Sequence, residues 1–170
     1  MNDPMVIHPK WTVGSLPVGT NGQQDSVLIK GEARCNRWRQ DCWYKADERY
    51  AVRVPTDPRF PDAQRYAVEL PCPDMNLRYP EGSLLICVPL DALKGGIEVD
   101  QPYLIEGRRR RAGEQETELS VKTLIAQSGI RPRFVTESSD PNCQASLPIF
   151  GAGDEKIRPI ALVTGFLQPE

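Results

Sequence analysis

The apolar residues of this chain come in short runs, many alternating with polar ones, and prolines and glycines interrupt them throughout. Tyr50-Ala-Val-Arg-Val54 alternates and breaks at Pro55 and Pro58, and Tyr66-Ala-Val-Glu-Leu70 alternates again. Residues of one strand face recur at every second position, so these segments read as half-buried strands. Leu84 to Val88 is an unbroken apolar run, as expected of a strand covered on both faces. Val27-Leu28-Ile29 leads into Gly31, while Tyr103 to Glu106 and Glu118 to Ile125 flank GRRRRAGEQE, which has the composition of a hairpin tip. Arg133 to Thr136 and Ile157 to Thr164 read as closing strands. No segment carries an apolar stripe at the helical period. With 16 prolines and 13 glycines breaking the chain, the expected class is mostly β, a folded, partly barrel-like sheet.

Residues 1–26 are rich in Gly, Pro and Asn and lack a period, so they read as an arm or linker pinned by Trp11, ahead of one domain over 27–170. A chain of 170 residues can bury a real core. Its 21 basic and 23 acidic residues leave a net charge of −2, which gives the chain as a whole no electrostatic footprint for a phosphate backbone. The five cysteines, Cys35, Cys42, Cys72, Cys87 and Cys143, are scattered and contain no C-x-x-C pair, so neither a zinc site nor a disulfide framework is expected. No signal peptide and no long apolar span is present, which makes a reducing cytoplasm the expected location, without membrane attachment. The single histidine, His8, lies in the polar N-terminal stretch and reads as inert. No glycine-rich phosphate loop or metal-ligand cluster occurs, and no cofactor is expected.

The segment CPDMN (72–76) stands between two of the strands, a cramped polar loop with Asp74 at its apex. Together with GEARCNRWRQ (31–40), CPDMNLRYPEGSLLICV (72–88), TELSVKTLI (117–125), SSDPN (138–142) and IRPIALVTGF (157–166), its order and spacing resemble a known arrangement. It is similar to the catalytic domain of LexA-like and phage-repressor proteins, the self-cleaving serine-lysine peptidases, over about residues 27–168. The resemblance implies a cleavage segment, a serine nucleophile loop, a lysine-bearing strand and a closing strand, in that order. On it, Asp74 stands where the family has its serine, and Cys35-Asn36 stands where the scissile Ala-Gly or Cys-Gly should be. Lys122 matches the general-base lysine.

A serine-lysine peptidase needs a hydroxyl to attack and a neutral amine to take its proton. Asp74 cannot form the serine ester, and its charge is expected to hold Lys122 protonated as a structural ion pair. Asn36 brings a side chain where glycine would let the backbone approach closely. The resemblance therefore implies a repressor-type regulatory and oligomerisation domain unable to cut itself. It would assemble with itself, with an intact repressor or with a recombinase filament, in an SOS-type response. Contact with DNA would come only through a separate helix-turn-helix domain, since no such pattern fits in the first 26 residues. The expected self-association surface is the apolar strand Arg158 to Leu167, with Ile160, Leu162, Val163 and Phe166, pairing as a sheet edge. Two alternatives stay open: a headless accessory protein of the UmuD type, and a peptidase still active through Ser120, Cys72 or, less readily, Ser83. Arg108 to Arg111, followed by Glu114, Glu116 and Glu118, reads as a solvated tip with local charge compensation. Asp57 or Asp62 has no spacing that would pair it with Asp74 for glycosidase chemistry.

Overall fold

The computed structural model describes residues 11–16, 22–143, 146–148 and 155–170. Ten strands follow in chain order: β1 (Trp11–Ser15), β2 (Gln24–Glu32), β3 (Tyr50–Pro55), β4 (Tyr66–Leu70) and β5 (Ser83–Pro89), then β6 (Pro102–Arg111), β7 (Glu114–Gln127), β8 (Ile130–Val135), β9 (Ser146–Pro148) and β10 (Lys156–Pro169). They pair in the order β3-β2-β4-β5-β10-β6-β7-β8-β9, with β1 added against β10. The chain is mostly β, as its period predicts. β3 and β9 at the two ends do not meet, so the sheet is open and not a closed barrel.

β10 joins the two halves. Its first part, from Lys156 to Leu162, pairs with β6, and Ala161 to Leu167 pairs with β5, with irregularities at Pro159/Ala161 and Val163/Gly165. A proline cannot donate to a ladder and bulges bend a strand, which suits a strand that leaves one neighbour for another. The main core lies between the halves, where Val68 and Leu85 from one meet Leu104, Leu119 and Val121 from the other. The alternate residues of β5, Leu84 and Ile86, pack with Ile29 and Val54, while Tyr103 and Ile105 of β6 pack with Phe134. Both faces of β5 are thus covered, and this is why its run is apolar throughout.

Two expectations change here. The stretch read as an arm contributes structure: Trp11–Ser15 forms β1, and Gln24 to Ser26 already belong to β2. Residues 1–10, with His8, and 17–21 lie outside the described residues. The strand from Arg158 to Leu167 is not a sheet edge, because β5, β6 and β1 occupy its hydrogen-bonding sides. Val163 is buried in the main core, and Ile160, Leu162 and Phe166 are half-buried against core clusters. An edge-to-edge pairing through this strand would require opening the existing ladders.

The β6–β7 turn is Ala112-Gly113, and both residues have positive φ, 50° and 82°. A two-residue hairpin turn of this kind favours Asn-Gly, because the left-handed region costs alanine roughly 1–2 kcal/mol. Ala112→Asn is therefore expected to stabilise the fold by about 0.5–1 kcal/mol, read as a rise in the thermal midpoint.

Candidate functional site

Segment 33–43 runs along the edge of β7 opposite β6, over the stretch around Thr117 and Leu119 that β8 does not reach. Arg34 N–H donates to Leu119 O, and Arg39 and Thr117 exchange backbone hydrogen bonds of 2.9 and 2.6 Å. The Cys42 thiol adds a bond to Thr117 O at 3.0 Å. This covering strand-like segment protects the exposed edge and fixes the chain that carries Cys35. The turn at Cys35-Asn36 depends on Asn36, whose φ is 59°. Asparagine tolerates that region better than most residues with a side chain.

The CPDMN loop folds as a single 3-10 turn, Pro73–Met75, with Asp74 and Met75 buried. A second loop pins it. Ser138 Oγ donates to Pro73 O at 2.7 Å, Leu77 N–H donates to Glu137 O at 3.1 Å, and Asn76 bonds Ser139 through both ends of its amide. Two of the quoted motifs, CPDMN and SSDPN, are thus packed against one another.

At the centre lies Cys35. Its backbone N–H donates to the Asp74 carboxylate, and its Sγ accepts from Lys122 Nζ at 3.6 Å. Lys122 is 1 % exposed and also donates to Thr136 Oγ1 at 2.8 Å. The Cys143 thiol donates to Asp74 Oδ1 at 3.1 Å. The positions suggested by motif order, Cys35, Asp74 and Lys122, therefore converge although they lie 39 and 87 residues from one another along the chain.

The expected ion pair does not form: among the described residues no ion pair involves Lys122. The side chain of Cys35 lies against the amine, and the Asp74 carboxylate is taken up by an amide and thiols. Asn36 also differs from expectation. Its side chain is exposed and donates to Asn142 O at 3.2 Å, so it points away from the buried cluster.

The other candidates fall elsewhere. Cys72 directs its thiol to Ala33 O at 3.7 Å, and burial together with a hydrogen bond to Asp74 pushes its pKa up to about 12. Ser83 Oγ donates to Pro80 O at 2.5 Å. Ser120 is buried on the Lys122 face of β7, but the amine bonds Cys35 and Thr136 instead. Asp57 is held by two nitrogens of the Arg59 fork, Nε at 3.0 Å and Nη2 at 2.8 Å. All five cysteines are unbridged, and among the described residues no group of His, Cys, Asp and Glu is arranged to hold a metal ion.

Beside the cluster is a cleft of about 230 Å³ bounded by Cys35, Trp38, Gly107, Glu118, Lys122 and Ile157, among others. A Cβ at Gly107 would come within 2.9 Å of the far edge of the Trp38 ring, so a larger residue there would displace that ring. Glu118, Thr136 and Cys143 were not singled out by sequence reasoning as parts of a site. Glu118 was legible, lying four residues before Lys122 and so on the same strand face. Cys143 and Thr136 belong to no motif.

Burial raises the Cys35 pKa, reinforced by Glu118 and Asp74 and opposed by Lys122. The residue is accordingly a protonated thiol at neutral pH, not an activated thiolate. Burial also raises the Glu118 pKa above 4.5, against Lys122 and a backbone hydrogen bond from Asn36. Between 4.5 and its folded value the native chain retains a proton that the unfolded chain has released, so stability falls as pH rises through that window. Glu118→Gln should flatten that fall, as measured by calorimetric melting across about pH 4 to 8. An unchanged pH slope would assign the titration to another group.

Among the described residues no helix is long and apolar enough to cross a membrane. No family model matches the chain, and neither a curated protein nor a solved structure matches it.

Proposed function

We propose that this chain is a regulatory assembly domain on a self-cleaving-peptidase-like plan, with the cleavage segment docked in a site that lacks a working nucleophile. The observation that carries this reading is the placement of Cys35 between residue 74 and residue 122. Its amide is bonded to the Asp74 carboxylate and its sulfur to Lys122 Nζ. A scissile residue lodged between nucleophile and base is what the motif resemblance implies. The reading rests on this convergence within the chain itself. Asp74 offers a carboxylate in place of a hydroxyl, and its bond to Cys35 N–H anchors the segment instead of attacking it.

On this proposal the domain acts in the cytoplasm by binding other proteins: a second copy of itself, an intact repressor or a recombinase filament. DNA contact for operator choice belongs to a separate helix-turn-helix domain. Because β10 is internal, self-association uses a surface other than that strand's edge.

The test is the double variant Asp74→Ser with Asn36→Gly, incubated at raised pH and followed by intact-mass measurement. The parent is expected to stay whole and the double variant to cut after Cys35. A parent that cuts there, or a double variant as inert as the parent, overturns the proposal. Sedimentation of the parent tests the assembly role, and a strict monomer at high concentration that captures neither repressor nor recombinase filament counts against it.

One observation favours a second reading, an enzyme using a thiol: the Cys35–Lys122 contact opens on the cleft. The raised thiol pKa argues against it. Iodoacetamide labelling of Cys35 should be slow at neutral pH and accelerate only in the alkaline range. Rapid neutral labelling, with loss of a hydrolytic activity, would favour the enzyme.

A further inference from the structure

The register of the β6–β7 hairpin sorts its charges onto two faces. Arg109 lies opposite Glu116 and Arg111 opposite Glu114, whereas Arg108 faces Thr117 and Arg110 faces Gln115. The compensation expected for the whole arginine run therefore holds for only half of it. Arg109 is the well-satisfied member, paired with Glu116 at 2.7 Å and stacked 4.3 Å from the Trp38 ring centre. Arg108 and Arg110 project from the opposite face, because side chains alternate along a strand.

β10 extends that second face. Lys156 lies opposite Arg108 and Arg158 opposite Glu106. A single oxygen of the buried Glu106 carboxylate holds both neighbouring guanidiniums, Arg108 at 2.9 Å and Arg158 at 2.8 Å. Their side chains remain 47 % and 63 % exposed, so they are oriented from below and open to solvent above. Among the described residues, four cations, Arg108, Arg110, Lys156 and Arg158, thus share a face with one carboxylate, a local excess of three charges on a chain whose net charge is −2. A broad depression of about 520 Å³ is lined by Arg108, Arg109, Arg110, Gln115 and Lys156.

We infer that this face is a binding surface for the phosphodiester backbone of nucleic acid, read without regard to sequence. Guanidinium forks match phosphate oxygens geometrically, and Glu106 pre-arranges two of them. Among the described residues, none that lines the depression is apolar or aromatic. Protein interfaces draw their affinity from buried aromatic and apolar anchors, whereas a phosphate backbone needs only positioned charge. Base stacking also requires exposed rings, and among the described residues the ring beside the hairpin, Trp38, lies under Arg109 on the other face. The four cations alternate with Gly107, Arg109 and Ile157 of the cleft beside Cys35 and so occupy the opposite face, and their test is independent of the fate of the cleavage reading.

The test is fluorescence anisotropy with a labelled mixed-sequence duplex at about 50 mM and about 200 mM salt. With three or four phosphates neutralised, log affinity should fall against log salt with a slope of about −3. The variant Arg108→Gln with Arg110→Gln should bind about tenfold more weakly, with a slope shallower by about 2. Lys156→Gln with Arg158→Gln should behave alike, while Arg111→Gln on the compensated face should bind as the parent does. Circular dichroism melting of each variant confirms folding. Absence of duplex binding at the lower salt overturns the inference, as does equal binding by the Arg108/Arg110 variant. Tighter binding of a polyglutamate peptide than of the duplex overturns it as well, and assigns the face to an acidic protein segment.

Discussion

Replacing Lys122 with methionine is expected to cost roughly 1.5–3 kcal/mol of stability at neutral pH, the usual worth of hydrogen bonds from a charged donor. The substitution keeps the length of the buried stem and removes only the cation, so packing loss is a minor part of the effect. An electrostatic part is added because Lys122 opposes the burial that raises the pKa of Cys35 and of Glu118. Without it, burial and the charge of Asp74 act on Glu118 with only the Asn36 backbone bond opposing them. Thr136 and Cys35 also lose their hydrogen-bond donor. The sign of the pH dependence follows from Glu118. Its folded-state pKa moves further above the unfolded value, so the native state holds its proton to higher pH. The variant should then regain stability as pH falls and Glu118 is protonated. Urea unfolding at about pH 5 and about pH 7.5 measures this directly. Equal losses at both pH values would mean that the amine acts through its neutral hydrogen bonds, and Glu118 would not be its electrostatic dependent.

Asp74→Ala should cost roughly 2–4 kcal/mol, since hydrogen bonds to a charged acceptor contribute about 1.5–3 kcal/mol and are not additive. The carboxylate accepts from the Cys35 amide and the Cys143 thiol and restrains Cys72. Its loss strands a half-buried N–H, the more expensive side of any hydrogen bond. The informative readout is local. Amide exchange at Cys35 should accelerate well beyond the change in global stability, and exchange along β4 and β5 should follow only the global change. Asp74→Asn, which retains an acceptor oxygen, should lose much less. If Cys35 exchange tracks global unfolding in the alanine variant, the carboxylate is not what anchors the cleavage segment.

Most strands from Val27 onward were legible because each carries its own signal: a period of two in β3 and β4, an apolar run in β5, a turn-rich tip between β6 and β7. β1 carries none, and neither does the three-residue β9. Trp11-Thr-Val-Gly-Ser15 becomes a strand because β10 offers Phe166 to Pro169 as a partner, and a partner is invisible to local pattern. The same blindness misplaced β10. Its alternation of buried and half-buried residues fits an edge strand and a shared inner strand equally well, and only the pairing tells them apart.

For the site, motif order pointed to three residues that do meet. What it missed was which atoms meet. A carboxylate and an amine assigned to one locus invite an ion pair, but the intervening side chain comes from a third segment, and the loop geometry decides that Cys35 Sγ fills the gap. The charge sorting on the arginine hairpin was hidden for a related reason. Arg108 to Arg111 followed by three glutamates looks balanced in one dimension, and a strand register of i to 225 − i is needed to see that Glu114 and Glu116 stand opposite alternate arginines only, while Glu118 faces Gly107.

Because Lys156 to Leu167 is the seam between the halves, neither half can be locked to the other until this late segment has emerged from the ribosome. During synthesis β5 and β6 would wait with open ladders, exposed to pairing with other chains. Joining of the two halves therefore waits on β10, with β5 and β6 each keeping one unpaired side until it pairs.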